Sequence, residues 1–163
     1  MTRFQGLLLI VLAFCFSTAQ GAQTVVGVWT GDVFIDNPDF KTGFPTLLAF
    51  HQGGTMGEVH LPHTPENGSP FGSFSGTPAF GIWESSGEGQ WKASFKFFLQ
   101  GGPQNEKHAN AMIGTNNVHY TIELGEDGNS MNATWSSELI DAEGKTILAG
   151  TGRFVGTRMQ VQK

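Results

Sequence analysis

Gln90-Trp91-Lys92-Ala93-Ser94-Phe95-Lys96-Phe97-Phe98-Leu99-Gln100 is the stretch that decides the fold class. Trp91, Ala93, Phe95, Phe97 and Leu99 share one phase of a two-residue period, and Lys92, Ser94 and Lys96 share the other. Successive strand side chains point to opposite faces, so this pattern is a strand with one apolar and one solvated side. The alternation recurs on both sides of it. Met131, Ala133, Trp135, Ser137 and Leu139 alternate with Asn132, Thr134, Ser136 and Glu138. Val118, Tyr120, Ile122 and Leu124 alternate with His119, Thr121 and Glu123. The helical period of 3.6 is not sustained in any long stretch beyond the N-terminal segment.

Turn chemistry separates these runs. Gln52-Gly53-Gly54-Thr55, Gly87-Glu88-Gly89, Glu126-Asp127-Gly128-Asn129 and Ala142-Glu143-Gly144-Lys145 all read as hairpin turns. Strands are expected at 25–35, 44–51, 55–61, 79–86, 90–100, 109–124 (with a possible break at Gly114), 129–140 and 145–161. Sequential strands joined by short hairpins leave exposed edges unless the sheet closes. The expected fold is therefore all-β, a closed antiparallel up-and-down barrel of about eight strands. The segment from Pro62 to Pro78 holds four prolines and breaks the rhythm. It is expected to be a long loop, either a plain surface loop or a lid over a barrel mouth.

Composition narrows the function. The chain has 163 residues, enough for one domain. Arg3 followed by the apolar run Leu7 to Phe16, then Ser17, Thr18, Ala19, Gly21 and Ala22, has the layout of a secretory signal peptide. The expected division is a signal over residues 1–22 and one barrel over 23–163, with the mature protein secreted or periplasmic. The single cysteine, Cys15, lies in that signal, so the barrel has no disulfide, thiolate site or cysteine nucleophile. Without Arg3, eight basic and 14 acidic residues leave a net charge of −6. That balance disfavours nucleic acid and anionic lipid as partners. The 23 glycines and 14 phenylalanines suit short strands and tight turns.

Gly27-Val28-Trp29 on the first strand and Gly156-Thr157-Arg158 on the last resemble the end motifs of lipocalin-like (calycin) barrels. The resemblance implies that Gly27, Trp29 and Arg158 close one barrel end, with the guanidinium packed across the indole. Thr46 to Thr55 (TLLAFHQGGT), Phe80-Gly81-Ile82-Trp83, Asp141-Ala142-Glu143-Gly144 and the final Gly156-Thr157-Arg158 are similar to a group of uncharacterised exported bacterial proteins with such a barrel. No activity carries over from that group. The chain departs from typical lipocalins in lacking their disulfides and second loop motif. Ala149-Gly150-Thr151-Gly152-Arg153-Phe154 resembles a late stretch of dirigent and allene-oxide-cyclase barrels, which implies a cyclase or isomerase acting on an apolar small molecule.

The candidate site residues follow from the strands. Phe50, Trp83, Phe95, Phe97, Tyr120 and Trp135 are expected to line an apolar pocket or to fill the core, since aromatic side chains serve both purposes in a small barrel. Glu58 shares a phase with Met56 and His60. If that phase faces inward, Glu58 or His60 is the acid–base group of an enzyme; if outward, Glu58 and Glu84 are solvated or pair with Lys92 or Lys96. His60 and His63, with His51 and Glu58, have the donor types of a zinc or copper site, but no spacing fixes a third ligand, and the histidines read better as solvated or structural. No metal or cofactor is expected. Asn67-Gly68-Ser69 and Asn132-Ala133-Thr134 fit the glycosylation sequon, which matters only in a eukaryotic secretory route. The leading expectation is a barrel that binds a small apolar molecule; the others are a barrel enzyme, or an interaction protein using the 62–78 loop or an exposed apolar patch.

Overall fold

The computed structural model describes residues 23–40, 42–60, 63–64, 74–102 and 109–161. The export signal expected over residues 1–22 lies outside the described residues. The strands are β1 (Gly27–Ile35), β2 (Phe44–Phe50), β3 (Thr55–His60), β4 (His63–Thr64), β5 (Phe74–Gly76), β6 (Ala79–Gly87), β7 (Gln90–Gly101), β8 (Met112–Leu124), β9 (Ser130–Asp141) and β10 (Thr146–Arg158).

Eight of them close on themselves. The sheet runs β7-β6-β3-β2-β1-β10-β9-β8, and a β7–β8 ladder joins its two ends. Every pairing around the barrel is antiparallel. The fold is thus the closed up-and-down barrel that the alternation predicts, and it is compatible with a lipocalin-like arrangement. The hairpin turns fall where expected, with Gly53, Gly54, Gly89, Gly128 and Gly144 at positive φ. In the β8–β9 turn Asp127 accepts hydrogen bonds from the Asn129 and Ser130 backbone amides. These hold its carboxyl below the usual aspartate range.

Two expectations are corrected. The 62–78 segment is not wholly loop: β5 adds to β7 beyond the end of β6, pairing Phe74 with Gly101 and Gly76 with Leu99, and β4 pairs with β5. Strands of two and three residues are too short to leave a periodic signature. The rest of the expected lid, 65–73, lies outside the described residues. The second correction concerns Gly114, which does not break its strand. Leu99 pairs with Gly114 and Gln100 with Met112, so Ile113 is the extra residue of a bulge.

Each long strand sends its apolar phase inward. Nearest the Trp29 end the interior holds Trp29, Phe50, Met56, Ile122 and Met131, all at most 2% exposed. Farther along the strands from that end lie Leu48, Glu58, Phe95, Tyr120 and Phe154 in the middle of the barrel, and Val33, Thr46, His60, Phe97 and Trp135 toward the other end. The outer wall is uneven. Lys92, Lys96, Thr121, Glu123, Asn132 and Thr134 make it polar over β7–β9, whereas Leu47, Val59, Phe80 and Ile82 are exposed over β2, β3 and β6.

Candidate functional site

One barrel end is sealed from within. Gln23 to Val26 cross it, and Val25 is fully buried beneath Trp29. The Trp29 indole N–H donates to the Val25 carbonyl at 2.9 Å. The Arg158 guanidinium lies 4.3 Å above the indole centroid. Its Nη1 donates to the Val26 carbonyl, its Nη2 to Thr24 at 2.6 Å and its Nε to Gly128 at 3.0 Å. Partial burial lowers its pKa from the usual guanidinium value. Gly27 sits at φ +140°, and a Cβ there would stand 2.6 Å from Arg158 Nη1, so glycine is required by both backbone and space. Gly27, Trp29 and Arg158 thus converge on one end of the barrel.

The six aromatic candidates divide by height. Phe50 and Trp83 meet edge to face at 6.3 Å near the sealed end, where the Trp83 indole donates to the His51 carbonyl. Phe95 packs against Tyr120 at 5.2 Å in the middle of the barrel. Phe97 and Trp135 stand higher, toward the end where β5 pairs with β7. Trp135 lies over Gly150 and Gly152 on β10, where a Cβ would reach its ring.

The polar groups gather in the same upper half. Glu58 is 4% exposed and His60 14%. His60 Nδ1 lies 2.8 Å and 3.0 Å from the two Glu58 carboxylate oxygens. Phe97 and Phe44 meet the imidazole edge to face, at 4.9 Å and 6.3 Å. Among the described residues, Thr46 Oγ1, Asn116 Oδ1, Asn117 Oδ1 and Trp135 Nε1 are buried without a hydrogen-bond partner. Buried polar groups are nearly always paired, so four unpaired atoms in one half of a barrel need a reason.

Sequence periodicity could not choose the phase of β3, because the strand is inverted. Gly57 and Val59 face out, Val59 at 51% exposure, while Glu58 and His60 face in. That inversion, an exposed valine between a buried glutamate and a half-buried histidine, is the signal that marks the pair. Glu84 does not join it: it is exposed on the outer wall, opposite Lys92.

The other histidines do not assemble with His60. His51 is exposed at the opposite end of the β2–β3 hairpin, and His119 is exposed on the outer wall beside Ser94. The side chains of His63 and His108 lie outside the described residues. Among the described residues no three metal-ligating side chains converge. The two grooves found among the described residues are also external, about 270 Å³ along Thr30, Met131 and Thr157 and about 250 Å³ along Thr121, Thr134 and Val155.

Tyr120 reports on the barrel interior. Burial first, and the nearby Glu58 charge second, push its phenol well above the usual tyrosine range. It is the only tyrosine of the chain. An unfolded tyrosine ionises near pH 10 (about 10). A phenol whose folded pKa is raised stabilises the fold below that value and loses this contribution as pH rises through it. The near-ultraviolet phenolate band is therefore expected to appear only together with unfolding. A phenolate band in the folded protein would mean that water reaches the middle layer.

No family model matches the chain, and no curated protein and no solved structure matches it.

Proposed function

We propose that this protein is an exported barrel that holds a small, largely apolar molecule in the half of the barrel opposite Trp29. The observation that carries this reading is the polarity of the interior. Among the described residues, the sealed end is packed without polar gaps, whereas the upper half combines aromatic walls with Thr46, Asn116 and Trp135 atoms that have no partner there. Ligand sites are mostly apolar with a few convergent polar groups, and this half has that composition. The signal-like residues 1–22 support export, and a secreted or periplasmic location follows from that part of the reading.

A second reading, a cyclase or isomerase of an apolar substrate, is favoured by one contact. A carboxylate bonded to an imidazole nitrogen sets the tautomer and orientation of a general base. Native mass spectrometry of the purified protein tests the first reading. A reproducible added mass of small-molecule size, lost on denaturation, is expected. A bare chain mass, with no binding on titration of apolar probes, would overturn it. Return of a bound compound in altered form would favour the second reading.

A further inference from the structure

The outer wall carries one broad apolar face. It crosses the neighbouring strands β7, β6, β3, β2 and β1. Phe98, Phe80, Ile82, Val59, Leu47 and Val28 stand on it, each between 42% and 75% exposed. The ladders set them in rungs. Val28, Ala49, Gly57 and Phe80 form one, and Thr30, Leu47 and Val59 form the next. The first rung meets no charge until Lys96, the partner of Phe80 on β7. A large apolar side chain presents about 150–250 Å² when fully exposed, so at these exposures the six offer about 500 Å². A standard interface takes about 800 Å² from each partner, and somewhat over half of that, about 450–500 Å², is apolar. The face has the area that a stable dimer needs, and an apolar patch of this size marks a contact.

Its relief identifies the occupant. Across the β3–β6 ladder Phe80 pairs with Gly57 and Ile82 with Thr55, a bulky residue beside a small one in each rung. Phe80 is a knob, 75% exposed. Gly57 is a hollow: among the described residues, a Cβ there would meet only the Ala79 carbonyl oxygen, at 3.8 Å. Sheets packed face to face keep their strands within about 30° of each other, so rung can lie over rung. A two-fold axis along the β3–β6 seam exchanges the two members of every rung. It sets Phe80 of a second copy over Gly57 of the first and Ile82 over Thr55, and both contacts occur twice. This is the self-complementarity of an isologous interface. A lipid surface has no knob to match the hollow, and the acidic balance of the chain gives it little attraction to anionic lipid.

We propose that this protein pairs with a second copy of itself through the β3–β6 face, Phe80 of each barrel seated in the Gly57 hollow of the other. The pairing is independent of what the barrel interior holds.

Sedimentation equilibrium of the purified protein tests this. At up to about 100 µM, above the micromolar range in which the weakest interfaces of this size associate, a dimer is expected. Gly57→Lys fills the hollow from a backbone that lacks positive φ, and removes no apolar residue. It is expected to weaken association by at least about tenfold, as is Phe80→Lys, the loss of a central anchor. Thr134→Lys, on the outer face of β9, is expected to leave the dimer unchanged. Circular dichroism checks that each variant is folded. A native protein that stays monomeric over the whole range would overturn the pairing. A monomer that co-sediments with phosphatidylcholine vesicles would overturn it too, and give the face to a lipid surface. A dimer that survives in both folded Gly57→Lys and folded Phe80→Lys would place the contact elsewhere and overturn the assignment to this face.

Discussion

Trp29→Ala is expected to cost about 3–5 kcal/mol of folding stability, the range for truncating a buried large aromatic. The indole is fully buried, so the lost transfer free energy is near its maximum for this side chain. The cavity left behind cannot readily collapse, because the roof of the site is the Arg158 guanidinium, fixed by three backbone carbonyls. Loss of the indole N–H also frees the Val25 carbonyl, and residues 23–26 lose the surface on which they rest. Urea unfolding of the variant against the native protein measures the change from the shift in midpoint. Trp29→Phe keeps a ring beneath Arg158 and is expected to lose less. A cost below about 1 kcal/mol for Trp29→Ala would show that the N-terminal segment does not depend on the indole.

The contrast between the two ends of the barrel explains what could be read from the sequence. β7, β8 and β9 are long enough for alternation to show, and the turns between strands carry glycines at positive φ, so strand order and closure follow from local chemistry. The sealed end was legible for a different reason: Trp29 and Arg158 stand in short motifs at the two chain ends, and the ladder pairs them directly. The upper half was not legible. β4 and β5 are too short for a period. In β3, Glu58 and His60 face in and Val59 faces out, so the hydrophobic pattern points the wrong way. β6 repeats the inversion, with Phe80 75% exposed and Gly81 turned inward against Phe95. Places where local pattern and fold disagree tend to be functional, and here they border the same pair of residues.

His60→Leu should be the other costly substitution, at about 1–3 kcal/mol or more, because it leaves the buried Glu58 carboxylate without the hydrogen bond from Nδ1. Glu58 is 4% exposed, and His60 supplies its hydrogen bond from Nδ1. Glu58→Leu leaves His60 Nδ1 without its hydrogen-bond partner, a cost of about 1–3 kcal/mol. Replacing both by leucine removes the desolvated charge and its partner together, and packs side chains of similar volume against Phe97 and Phe44. The double variant is expected to be neutral, or more stable than the native protein by up to about 1–4 kcal/mol. Urea unfolding of all four proteins at neutral pH closes the cycle and isolates the coupling. The sign of the double variant carries the argument. A pair retained for stability would make the double variant at least as weak as His60→Leu. A pair retained for its chemistry would make it the most stable protein of the four.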